Sequence, residues 1–132
     1  MPSRRLTAAA LLAALSLGAC TGGRPGLEAA QAACHAYADT ERGQAATTPD
    51  GTESVRATAE DHAAHAAAED EAWAGLQSDI EGAYAHLAAS ADAHDAGDHD
   101  GSGREIQAYQ AADEAVQADC ADADAEIGPL RP

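Results

Sequence analysis

The chain has 132 residues, enough for one small domain, and its 23 acidic side chains against seven arginines leave a net charge of −16. It has no lysine, asparagine or phenylalanine. With no basic stripe beyond the first few residues, nothing could follow a phosphate backbone, so nucleic acid is excluded as a partner.

Residues 1–5 carry two positive charges, Arg4 and Arg5, and a largely apolar run follows from Leu6 to Leu17. The run is too short for a bilayer span, which takes roughly 20 apolar residues. It has the form of an export signal. It ends in Leu17-Gly18-Ala19-Cys20. That tetrapeptide resembles the lipobox of bacterial lipoproteins. The resemblance covers only this signal. It implies a diacylglycerol thioether on Cys20, cleavage before Cys20, and a cell-membrane location on the extracytoplasmic face. Ser3-Arg4-Arg5 also resembles the start of a twin-arginine motif, although Thr7 and Ala8 stand where larger apolar residues are usual; the export route stays open. The bias toward Ala, Gly, Asp and Arg is that of a GC-rich genome, such as an actinobacterial one.

Cleavage before Cys20 would leave 113 residues with five arginines against all 23 acids, a net charge of −18. Anionic head groups would repel such a body. Residues 20–26, rich in Gly, are expected to form a flexible tether, and 27–132 a single acidic domain. The field would attract a divalent cation or a basic envelope protein.

Three cysteines less the lipidated one leave Cys34 and Cys120. In an oxidising compartment that even pair is expected to form a disulfide. It would close a loop of about 87 residues, worth roughly 4–5 kcal/mol on the loop-entropy model.

Helix formers dominate the remaining chain, no β-branched run argues for strands, and Gly and Pro clusters divide it into three pieces. The first spans about 27–42, with Leu27, Ala30, Cys34 and Tyr37 on one stripe and Gly43 as a stop. Pro49-Asp50-Gly51 signals a turn in the following loop. The second piece spans about 53–95. Its seam passes through Val55, Ala59, His62, Ala66, Glu69, Trp73, Leu76, Ile80, Ala83, Leu87, Ser90 and His94. Gly75 and the capping-box pattern at Ser78 and Glu81 could interrupt it. The third spans about 102–127, from a capping box at Ser102 and Glu105 to Gly128-Pro129. Its seam holds Ile106, Tyr109, Asp113, Val116, Cys120, Ala123 and Ile127.

The expected fold is all-α: an Ala-rich three-helix, up-down-up bundle stapled by the disulfide. The cysteines test it. In a sharply folded bundle Cys34 levels with Ala63 and Cys120 with Leu76, a mismatch of roughly 20 Å at about 1.5 Å per residue. Disulfide Cα atoms lie within about 7 Å. Two arrangements resolve this: a loop over 43–51 that climbs along the second helix, or four helices with the second piece broken near Gly75. The climbing loop is preferred, because it brings Leu27 and Tyr37 toward the 73–87 core.

Chemistry has few candidates. His62, His65 and Glu69 share a helix face, and His35 reaches their height in the sharply folded register. Together they could hold zinc or copper. Asp98, Asp100, Ser102 and Gly103 match the opening of an EF-hand calcium loop, but Tyr109 replaces the closing Glu. The rival reading of each is a polar helix surface or turn with no cofactor. No catalytic constellation is present: Ser78, Ser90 and Ser102 lack a glycine elbow, and the cysteines are committed to lipid and disulfide. The expectation is a non-enzymatic envelope interaction module, with a metal-binding lipoprotein or an acidic spacer as alternatives.

Overall fold

The computed structural model describes residues 23–41 and 49–128. The signal, the lipobox through Cys20, the twin-arginine pattern and the Gly43 stop lie outside the described residues. Four helices follow in order: α1 (Leu27–Glu41), α2 (Pro49–Glu69), α3 (Ala74–Asp95) and α4 (His99–Asp122), with a 3-10 turn at Glu71–Trp73 between α2 and α3. No strand occurs among the described residues, and no helix there is long and apolar enough to cross a membrane.

The expected three-helix bundle is thus corrected to four helices, the arrangement in which the second piece breaks. The break falls at Asp70, ahead of Gly75. Asp70 adopts an extended backbone, φ −148° and ψ 117°, and its side chain accepts a hydrogen bond from the Ala72 N–H. A short carboxylate that satisfies an orphan N–H beyond it is a helix-start device. Here it restarts the chain in a new direction. The turn also carries Trp73 into the core, where it is 2% exposed.

Cross-contacts set alternating helix directions. Tyr37 of α1 meets Tyr84 of α3, Arg56 of α2 lies over Tyr84, and Tyr37 hydrogen-bonds Asp113 of α4. One end of the bundle joins Pro25 to Trp73 and Gln31 to Ala123. The other end holds the α3–α4 turn, approached by the His86–Glu105 and Ser90–Ser102 pairs. The helices therefore run up, down, up, down. α1 packs mainly on α2 and α3 mainly on α4.

This geometry removes the cysteine mismatch. Once the chain turns at Asp70, Ala63 and Leu76 each lie a few residues from the same end of the bundle. Cys34 and Cys120 then face one another with Cα atoms 5.7 Å apart. The climbing loop is not needed. Pro49, Asp50 and Gly51, expected as a turn, are the first turn of α2. Proline suits the first helical position, where its missing N–H would be unpaired anyway.

The other boundaries shift for local reasons. α4 starts at His99, not Ser102, because Asp98 caps it by accepting from the Gly101 N–H at 2.8 Å. Ser102 and Glu105 lie inside the helix, and their side chains bond across to Ser90 and His86. α4 ends at Asp122, before the expected Gly128-Pro129 stop. Asp124 takes a positive φ of 55°, and the Ala125 N–H returns to the Cys120 carbonyl. The tail then folds inward, burying Ala125 and Ile127.

The core is one cluster built largely from alanine and the three tyrosines, with Trp73, Leu76, Ile80 and Val116. Seam positions Ala59, Ala66, Trp73, Leu76, Ile80, Ala83 and Ser90 are buried. The seam fails at Glu69, exposed at the last position of α2 just before the break, and at His94, near the α3–α4 turn. Of the third piece's predicted seam, which runs past the end of α4, every residue is buried except Ile106, which is 38% exposed.

Candidate functional site

Residues 24–26, expected to be a loose tether, are docked on the corner where α2 becomes α3. The Pro25 carbonyl accepts the Trp73 indole N–H at 2.9 Å. The Arg24 guanidinium lies 4.0 Å from the Trp73 ring centroid, and its Nε is 3.5 Å from Asp70 Oδ2. Gly26 has φ +73°, and a Cβ there would stand 2.6 Å from the Ala66 carbonyl oxygen and 2.9 Å from Trp73 Cδ1. Only glycine allows this close approach. The Leu27 and Ala30 N–H groups donate to the Arg24 and Gly26 carbonyls, so the docked segment runs directly into α1. Two signals that sequence reasoning missed mark this corner: Asp70 three positions before the aromatic Trp73, and Gly26 immediately before the start of α1.

A second constellation is buried. Tyr37, 1% exposed, donates its phenol proton to Asp113 Oδ1 at 2.8 Å; Asp113 is 3% exposed. Gln117 donates to the other Asp113 oxygen. Burial, the neighbouring Tyr109 and the Asp113 carboxylate push the Tyr37 phenol far above its ordinary range. It therefore stays protonated and remains a donor. Asp113 is the one carboxylate classed as buried among the described residues. Its oxygens are both committed to hydrogen bonds within the bundle, which makes it a tie between α1 and α4 and not a reactive group.

A third cluster sits near the floor of the bundle. Asp119 of α4 has one carboxylate oxygen buried without a hydrogen-bond donor. Burial raises its pKa, and Asp79 of α3 and Asp122 add to the rise by repulsion. A proton there would let Asp119 donate to Asp79.

Of the proposed zinc or copper set, the structure brings together two members. His65 Nε2 lies 3.3 Å from Glu69 Oε1 on the exposed side of α2. His35 is exposed on α1 and His62 half-buried on α2. Among the described residues, no group of three or more His, Cys, Asp or Glu side chains is placed to hold a metal ion. The proposed calcium residues are likewise redirected. Asp98 is occupied as the α4 cap and lies 4.0 Å from Arg104, and Asp100 is in the first helical turn. Ser102 is also helical, with its hydroxyl 2.9 Å from that of Ser90. A calcium loop wraps its ion in non-helical backbone, and here the capped helix has taken that segment.

The remaining surface is strongly acidic. Of the arginines with described side chains, Arg24 covers Trp73, Arg56 lies 5.2 Å from the Tyr84 ring centroid, and Arg104 faces Asp98. Compared with protein-family models, curated proteins and solved structures, the chain matches none.

Proposed function

We infer that the chain is a lipid-anchored, non-enzymatic lipoprotein on the extracytoplasmic face of the cell membrane, presenting an acidic helical module to a basic protein of the envelope. The observation that carries this reading is the pairing of Cys34 with Cys120. It accounts for two of the three cysteines, and the third is Cys20, at the end of the lipobox-like Leu17-Gly18-Ala19-Cys20. A disulfide also suits an oxidising compartment. Two acyl chains on Cys20 meet the requirement for stable anchoring, and an acidic body needs such an anchor to stay beside anionic head groups.

The partner follows from charge. The buried carboxylate is internally satisfied, so the exposed acids set the outer field, and that field draws a basic surface. Such a contact weakens with salt, since the Debye length shrinks from about 8 Å at physiological ionic strength to about 3 Å at 1 M.

Two measurements test the reading. In a bacterial host, the Cys20→Ala variant should leave the membrane fraction and appear as soluble secreted protein; a variant that stayed with the membrane would overturn the anchor. Capture from envelope extract on the domain from residue 23 onward should enrich basic proteins that elute in high salt. Salt-resistant capture of neutral proteins would refute the charge argument.

A further inference from the structure

We propose that residues 24–26 form a clasp that sets how the anchored bundle stands on the membrane, with the α2–α3 corner inward and the α3–α4 turn outward. The proposal rests on the lipid-anchor reading above. Three contacts hold the clasp. They are the Trp73 indole N–H on the Pro25 carbonyl at 2.9 Å, the Arg24 guanidinium 4.0 Å from the Trp73 ring centroid, and Arg24 Nε 3.5 Å from Asp70. Gly26 makes the fit possible: a side chain at its φ of +73° would run into Ala66 and Trp73. The bond from the Ala30 N–H to the Gly26 carbonyl, 2.8 Å, makes the clasp continuous with α1.

The consequence is a matter of reach. With the clasp closed, four residue steps separate Cys20 from Arg24, at most about 14 Å of chain. With it open, seven steps reach Leu27, about 24 Å. The 22 residues of α3 rise roughly 33 Å. A closed clasp therefore limits the near corner to less than half a bundle length from the lipid. The α3–α4 turn stands a full helix farther out, carrying His94, Asp95, Asp98, His99 and Asp100, all exposed. Contact with an envelope partner would then be made at the outer turn and not along the bundle's side. An open clasp would let the body pivot and present any face.

Trp73 is the only tryptophan in the chain and sits inside the clasp, so it reports both events. The full lipidated protein is placed in phosphatidylcholine vesicles containing a small fraction of dansyl-headgroup lipid, and energy transfer from Trp73 is measured. The wild type should transfer strongly and emit at short wavelength. Gly26→Ala, which displaces the clasp, and Arg24→Ala, a milder surface change, should shift emission to the red. Both should lower transfer by roughly half or more as the reach lengthens from about 14 to about 24 Å. Circular dichroism confirms that each variant is folded; should Gly26→Ala not fold, Arg24→Ala decides. Folded variants with wild-type transfer overturn the clasp, whether or not their emission shifts. Cys20→Ala separates the two ideas: vesicle binding by that variant overturns the anchor itself, whereas its release alongside unchanged transfer in the clasp variants overturns the clasp alone.

Discussion

Removing the Cys34–Cys120 disulfide has a calculable effect on stability. The two cysteines are 86 residues apart in sequence. Closing a loop of that size in the unfolded chain is worth about 4.6 kcal/mol at room temperature on the loop-entropy model. A domain of this size has a total stability of roughly 5–15 kcal/mol, and an alanine-rich core belongs toward the lower end, because alanine buries little area. At about 4–5 °C per kcal/mol for a domain near 100 residues, the melting temperature should fall by roughly 20 °C. Both cysteines are 0% exposed, so a reductant reaches the bond mainly when the bundle opens. The cleaner perturbation is the double variant Cys34→Ala/Cys120→Ala, followed by thermal and urea melts at the far-ultraviolet helix signal. The urea slope should rise as well, because the uncrosslinked unfolded chain is less compact. A double variant that melts within a few degrees of the wild type would refute the reasoning. It would mean that the break at Asp70 and the Tyr37–Asp113 tie hold α1 against α4 unaided.

Three further outcomes are expected of the fold. Tyr37→Phe removes the donor to a buried Asp113 oxygen and should cost about 1–3 kcal/mol; Tyr37→Phe combined with Asp113→Leu should recover part of that loss, which a double-mutant cycle measures. For Asp119, the folded pKa is raised above the ordinary 3.8, so the native state binds the proton more tightly than the unfolded chain. Stability contributed by that proton is present at low pH and declines as pH rises from the unfolded pKa through the raised folded one. Asp119→Asn should flatten that decline and raise the neutral-pH melting temperature; a variant with an unchanged slope would sink the assignment. Zinc and calcium should leave the melting curve unmoved, since of the proposed ligands only His65 and Glu69 meet and Asp98 is occupied as a cap. A metal-dependent rise would restore His35 and His62, or Asp100, as ligands.

Much of the helical content was legible because its causes are local. The stripe through Ala30, Cys34 and Tyr37, the α3 stripe through Leu76, Ile80 and Ala83, and the α4 stripe through Tyr109, Asp113, Val116 and Cys120 are all buried. The period of an α-helix puts such residues on one face whatever surrounds them. The disulfide was legible from parity, since setting aside Cys20 as the expected lipid carrier leaves a single pair, Cys34 and Cys120. The seam on the second piece was the misleading feature. Its spacing of 3 and 4 runs unbroken through Glu69 to Trp73, so periodicity alone predicts one long helix. Asp70 overrides it with one side-chain hydrogen bond and one extended residue. A short polar residue in a helical stretch announces such a break only when a tertiary contact supports it.

Sequence by itself determined an acidic, all-α, disulfide-closed bundle, because composition, helical period and cysteine parity need no knowledge of what touches what. Tertiary structure decided the rest. The turn at Asp70 holds because it delivers Trp73 into the core and to the Pro25 carbonyl, and that turn brings Cys34 level with Cys120. It also docks Arg24 and Pro25 on the corner between α2 and α3. It left the histidines of α1 and α2 without a common focus, because helix register is set by the whole core and cannot be seen along one strip of chain.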